Sequence, residues 1–462
     1  MNYIAKANSQ LMKLKLLLPF LFVTPVALAQ TTVRPDAAIQ QMNSEVSAQN
    51  IETIVRKLVS FKTRHTLSDT TSKTTGIGAA RNWIKAELER YAAASGGRMK
   101  VEFDTFTQPA GGRIGKPTVL KNVLATLKGT DPTDTRVYLV SGHYDSRVTN
   151  VMDSASVAPG AVDDASGTAV SMELARVMAK SKFSATIIFM TVVGEEQGLN
   201  GSTNVAKRAA AEKWDIDAML NNDIVGNTVG MENGIKDNTS VRVFSEGVPS
   251  TTVNNARALA ALINNGGEND APSRQLARYV KEVAERYVSH LNVRMVYRRD
   301  RFLRGGDQTP FLLQGFTAVR FTEMNEDFTR QHQDLRKDKG VDYGDLPDFA
   351  DYPYIQKVAR MNLSVLANLA LAPGQPQNVT VSTTGLTNKT TLKWDAPKNG
   401  KRPAGYYILM RETINPYWEK KIWVTVNEFT SDYSKDNYFF AVQCVDAEGH
   451  ESLAVYPKPA GR

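Results

Sequence analysis

The sequence predicts an α/β chain, a mostly parallel twisted sheet flanked by helices, followed by a small all-β sandwich. Three observations predict it. Apolar strand-like and helix-like segments alternate between about residues 110 and 372, as in a parallel sheet covered on both faces. That rhythm stops at Pro373-Gly374-Gln375-Pro376, and short strands separated by Asn, Gly, Pro and Asp turns follow. Between them, ATIIFMTVVGEE runs apolar and β-branched into two adjacent carboxylates, as expected of a doubly covered strand ending at a ligand-facing edge.

In chain order, MNYIAKANSQLMKLKLLLPFLFVTPVALAQ reads as a secretory signal. Lys6, Lys13 and Lys15 make the basic region, LLLPFLFVTPVA the apolar core, and Ala27-Leu28-Ala29 the small-x-small cleavage motif. Cleavage is expected before Gln30, which leaves a periplasmic or secreted chain without a stable membrane anchor. The apolar run is short against the roughly 20 residues of a span. The predicted domains are residues 1–29 (signal), 30–372 (the α/β domain) and 373–462 (the sandwich).

Residues 30–110 read as mostly helical, with IETIVRKLVSF and GAARNWIKAELERYAA at helical spacing. KNVLATLKG, RVYLVSGHYD, ATIIFMTVVGEE, IDAMLNNDIVG and TAVRFTE read as strands. SGTAVSMELARVMAKS, SRQLARYVKEVAERYV and YIQKVARMNLSVLANLALA read as helices. The net charge of +8 falls to +5 without the leader's three lysines, and no basic run is interleaved with aromatics. Nucleic-acid binding is therefore not expected. Cys444 is the single cysteine, so no internal disulfide exists, and its strand-like setting makes it a core residue.

Five motifs fall at predicted strand ends. In SGHYDS, His143 and Asp145 are two apart and share a strand face, where a carboxylate sets an imidazole's tautomer. In PGAVDDASGTA, Asp163 and Asp164 precede a helix that Ser166 is placed to cap. Glu195 and Glu196 end the apolar strand, Asp223 follows LNN, and His332 sits in the polar loop TRQHQDLR. Each alone also reads as an ordinary cap or solvated strand end. Together they give nitrogen and carboxylate donors without thiolates, the set that suits zinc, and a bridging carboxylate suits two metals. One glutamate then binds metal while its neighbour takes a proton from water, and the metal charge offsets their repulsion. Of the other histidines, His290 reads as structural and His450, in AEGHES, as solvent-exposed.

These motifs resemble the zinc exopeptidase family that holds bacterial leucyl aminopeptidases, glutamate carboxypeptidase and glutaminyl cyclase, peptidase family twenty-eight. The likeness spans about residues 50–370, and TRHTLS resembles the family's Thr-Arg-His turn. The resemblance implies the zinc exopeptidase fold and two Zn2+. His143 and Asp223 would bind one, Glu196 and His332 the other, and Asp163 would bridge them. Glu195 would be general base and later acid, and Asp145 would support His143. The implied activity is removal of N-terminal residues from peptides, with cyclase and carboxypeptidase chemistry as the alternatives on the same fold. Gln331 stands where several aminopeptidases of the family carry a Tyr that stabilises the oxyanion. RGGDQTPF (Arg304–Phe311) resembles a segment lining the substrate side, and the acidic Asn325–Asp327 reads as a solvated loop, with attraction of a free α-amino group as the alternative. The tail resembles fibronectin type III, with Trp394 in its core and Tyr438 opening strand F, which leaves a non-catalytic binding role as the reading from another class.

Overall fold

A computed structural model describes residues 33–460. The predicted signal lies outside the described residues. Among those described, no helix is long and apolar enough to cross a membrane.

Three helices come first among the described residues: α1 (Ala37–Glu45), α2 (Ala48–Val59) and α3 (Gly76–Ala92). In α2, Ile51, Ile54, Val55 and Leu58 form one buried stripe, and Ser47 caps the helix by accepting from the Asn50 N–H. The sheet is then laid down as β1 (Met99–Gln108), β2 (Thr118–Leu127) and β3 (Arg136–His143). After α4 (Ala165–Met178) come β4 (Thr186–Val192), α5 (Asn200–Ala211), β5 (Asp215–Asn222) and β6 (Ser240–Phe244). Next are α6 (Ala256–Asn264), α7 (Pro272–Tyr287), β7 (Asn292–Val296), α8 (Gln308–Leu313) and β8 (Ala318–Glu323). A small hairpin, β9 (Arg336–Asp338) and β10 (Val341–Tyr343), precedes the long helix α9 (Tyr352–Leu371).

The eight main strands form one sheet in the order β1-β2-β4-β3-β5-β8-β6-β7. The central run β4-β3-β5-β8 is parallel, as are β6 and β7; β1, β2 and the β6–β8 pairing are antiparallel. Side chains of α1–α4, α7 and α9 build the larger core on one face, and those of α5 and α8 a smaller one on the other. The strand order reverses at β3, which has β4 on one side and β5 on the other. That switch point opens a crevice at the carboxyl ends of the strands.

Two differences from the sequence reading concern edges. Residues 99–108 lie in the stretch read as mostly helical, yet MKVEFDTFTQ is β1, with a mixed burial pattern typical of an outer strand. SVRVF and NVRMV, unread as strands, are β6 and β7 at the far edge. Their interleaved arginines hide the apolar signal that buried central strands display.

The tail forms two facing sheets. β11 (Gln377–Val381), β12 (Thr390–Asp395), β15 (Glu428–Ser431) and β17 (Lys458–Pro459) make one. β13 (Gly405–Glu412), β14 (Lys420–Val424) and β16 (Tyr438–Val445) make the other. Trp394 and Cys444 are buried in the shared core, where Trp394 meets Tyr406 edge-on at 5.3 Å, and Tyr438 opens β16. His450 is buried rather than exposed: its turn folds against the rest of the chain, and its Nδ1 lies 2.8 Å from Asp446 Oδ2. His290 is exposed, not structural, because the short α7–β7 connection takes a left-handed backbone there (φ 58°) and turns the ring outward.

Candidate functional site

Four crossover elements deliver the site. β3 ends on His143, and α4 begins two residues after Asp163. Glu195 and Glu196 follow β4 in a tight turn that Gly194 enters at φ 75°. Asp223 follows β5, and His332 lies in the loop after β8. The first turn of α4 rests directly on two strands. A Cβ on Gly142 would lie 2.2 Å from the Gly167 carbonyl carbon, and one on Gly167 would lie 2.1 Å from Asn222 O. Glycine at both positions is what lets Asp163 reach His143.

The adjacent aspartates have separate jobs. Asp164, not Ser166, is the helix cap: its carboxylate accepts from Gly167 N at 2.9 Å, and from His143 N at 3.0 Å. Ser166 instead donates to Val162 O. Asp163 is left to point into the crevice. Its Oδ1 lies 3.2 Å from His143 Nε2 and its Oδ2 lies 2.9 Å from His332 Nε2, so one carboxylate spans the two imidazoles.

Donor atoms converge in two groups, each within 4.8 Å: His143, Glu195 and Asp223, and Asp163, Glu196 and His332. Asp223 Oδ1 is 3.8 Å from His143 Nε2, and Glu196 Oε1 is 3.0 Å from His332 Nε2. The structure thus brings together all six of these sequence-selected residues. Glu196 is 4% exposed, while Glu195 is partly open to a crevice of about 350 Å³ that both line. The paired glutamates therefore differ in setting, one enclosed among donors and one facing the space a substrate would fill.

Burial pushes the Glu195 carboxyl well up; His143 opposes this, and the negative charges of Asp223, Glu196 and Asp307 add to it. Burial works the same way on Asp163, but His332 and His143 outweigh it and hold that carboxyl well below the usual range. So dense a set of carboxylates around two imidazoles is the chemistry of a cation centre.

Asp145 sits behind this set. Its Oδ1 is 3.6 Å from His143 Nδ1. Its two oxygens also accept from the backbone N–H groups of Glu195 (3.3 Å) and Glu196 (3.2 Å), and from Thr66 Oγ1 at 3.0 Å. One carboxylate thereby fixes the β3 end and the glutamate turn together. The TRHTLS segment braces the same wall: buried Arg64 donates to Tyr144 O, Pro159 O and Gly160 O, and His65 Nε2 lies 2.9 Å from Val151 O and 3.0 Å from Gln197 Nε2.

Several supporting residues escaped the sequence reading. Buried Arg320 pairs with Asp223 Oδ1 at 3.0 Å and with Asp300. A charge inside the strand TAVRFTE was the available signal. Asp345 accepts from Asp163 N at 2.8 Å, and burial pushes it up to about 7. Asp307, within RGGDQTPF, is fully buried and also pushed up to about 7, first by burial. The acidic Asn325–Asp327 is not free to meet an amine. Glu326 pairs with Arg242 and Arg301, both at 2.8 Å, and Asp327 accepts from Thr329. Gln331 is buried at 4% exposure and does not line the crevice.

Residues 122–353 match the model of peptidase family M28. The chain belongs to that family. A probable zinc metalloprotease of Leptosphaeria maculans is 49% identical over 92% of this chain and 98% of its own length. Another from Pyrenophora teres f. teres is 46% identical over 92% of this chain and 88% of its own. Among solved structures, the fold is shared with the LapA aminopeptidase of Legionella pneumophila (TM-score 0.52, 18% identity, 78% of this chain and 80% of that one). It is shared too with a leucine aminopeptidase precursor of Bacteroides thetaiotaomicron (TM-score 0.50, 16% identity, 70% and 98%).

Proposed function

We propose that this M28 protein is an exported di-zinc aminopeptidase that hydrolyses N-terminal residues from peptides. The observation that carries the reading is Asp163 spanning His143 and His332, with Glu195 open to the crevice beside them. The relatives' description as zinc metalloproteases supports the choice of ion. His143 and Asp223 would hold one zinc, Glu196 and His332 the other, and Asp163 would serve both. When bound it supplies Lewis acidity toward a carbonyl and lowers the pKa of water.

The chain's own residues do the rest. Glu195 accepts the proton of the attacking water and gives it to the leaving amine. Asp145 fixes the glutamate turn and, through its backbone carbonyl 3.2 Å from Nδ1, the His143 ring, and Arg320 holds Asp223. With Gln331 outside the crevice, the oxyanion donor is sought among the arginines that line it.

The deciding assay uses the chain from Gln30 on a peptide with a free N-terminus and on its N-acetylated twin, with zinc and with chelator. Loss of the first residue from the free peptide alone, abolished by chelator, is the expected result. Trimming of both peptides from the other end would mean a carboxypeptidase. No cleavage of either would replace hydrolysis with cyclisation, read on a peptide that starts with glutamine. A finer test is Thr66→Val, which removes the hydroxyl bond to Asp145. Chelator competition should then show zinc held about tenfold more weakly; unchanged affinity would remove Asp145's supporting network from the account.

A further inference from the structure

The crevice is lined by Arg113, Arg147, Arg301 and Arg304 as well as by the donor set. They come from three separate places: the β1–β2 connection, the segment after β3, and the β7–α8 loop. Two are spent. Arg147 Nε pairs with Glu196 Oε2 at 2.8 Å, and Arg301 pairs with Asp300 and Glu326. Two are not. Arg113 donates only to the Glu196 backbone carbonyl, at 2.6 Å, and Arg304 makes no ion pair among the described residues. Both side chains are exposed at the mouth.

The acidic side of the wall consists of Asp163, Glu195, Glu196 and Asp223. Two divalent cations would cancel those four charges, so a loaded crevice presents guanidinium to whatever enters. Through Arg301 and Arg304 the crevice adjoins a second groove lined by Arg242, Arg298, Phe302 and Phe328. Its one carboxylate, Glu326, is already taken by Arg242 and Arg301. On the groove side no carboxylate is left unpaired, whereas the Arg304 guanidinium and the remaining N–H groups of Arg113 are free for a carboxylate.

We propose that the site selects substrates carrying a carboxylate, bound by Arg304 and Arg113 at the mouth of the crevice. This rests on the peptidase reading for the reaction, and on the arginines together with the two-cation reading for the charge. The carboxylate has two sources, an acidic side chain near the scissile bond or the free C-terminus of a short peptide, and the test separates them.

Zinc-loaded protein is compared on Glu-headed against Gln-headed peptides with amidated ends, and on dipeptides against their amides. One pair should favour the carboxylate at least tenfold in kcat/KM. That ratio should fall about tenfold in Arg304→Gln or Arg113→Gln, and should shrink as salt rises. Which pair responds names the source. A binding readout runs beside it by calorimetry: glutamate against glutamine, and N-acetyl-leucine against its amide, on the loaded wild type and on both variants. Arginine-dependent carboxylate preference in binding without any turnover would keep the anion site and remove the peptidase reading. Turnover with no carboxylate preference, or with one that both variants retain, would overturn the proposal and leave the peptidase reading standing.

Discussion

Glu195→Gln is expected to lower kcat by a factor of about 10²–10⁴, the range a positioned acid–base group contributes. Zinc per chain should stay as in the wild type. Glu196 is enclosed, with Oε1 against His332 and Oε2 against Arg147, so its carboxylate is committed to the centre. Glu195 is partly open to the crevice, and its side chain makes no hydrogen bond or ion pair among the described residues. The change keeps the shape of the side chain and removes only its ability to carry a proton. Because Glu195 also lies within 4.8 Å of the donor atoms of His143 and Asp223, metal content is the decisive control. Loss of an ion together with activity would make Glu195 a ligand and would require another residue to move the proton.

The residues that form the site were readable because their chemistry leaves marks at strand ends. A Glu pair two residues beyond TIIFMTV, or an Asp after DIDAMLNN, breaks a buried apolar run at the place where a sheet meets solvent. His143 and Asp145 share a face at the end of β3 for the same reason. What holds these residues was not readable, because the partners come from remote parts of the chain. Asp345 meets Asp163 across 182 positions, Asp145 meets Thr66 across 79, and Arg320 meets Asp223 across 97. No periodicity or local motif encodes such pairs. Even the local choice between Asp164 and Ser166 as helix cap was decided by Asp164's second contact, the His143 N–H, on another element.

The fold shows the same division. Central strands and amphipathic helices declared themselves, while the edge strands β1 and β7, and β6 beside β7 with an arginine at its centre, did not. The docking of the sandwich was also hidden. Glu451 looks like an ordinary acid in AEGHES, yet it is fully buried against α7, α9 and β14.

That docking leads to the second large effect. Glu451 receives Arg286 on both oxygens (2.8 and 2.9 Å), Lys421 at 2.9 Å and Asn368 at 3.1 Å. Burial alone would raise its pKa, but Lys421 and Arg286 outweigh burial and bring it to about 2, below its ordinary 4.5. A depressed carboxylate pKa stabilises the fold fully above the unfolded value and loses that contribution as pH falls through the folded value. The window therefore runs from about pH 5 down to about pH 2, and the shift corresponds to about 3 kcal/mol at neutral pH. Glu451→Gln should cost a similar amount at pH 7, since Arg286 and Lys421 are left with only the more exposed Glu282. Urea unfolding of wild type and variant at pH 7, 5 and 3 measures it. The gap between them should be nearly constant from pH 7 to 5 and narrow toward pH 3. A gap that persists unchanged at pH 3 would mean that packing at position 451, and not its charge, anchors the sandwich to α7.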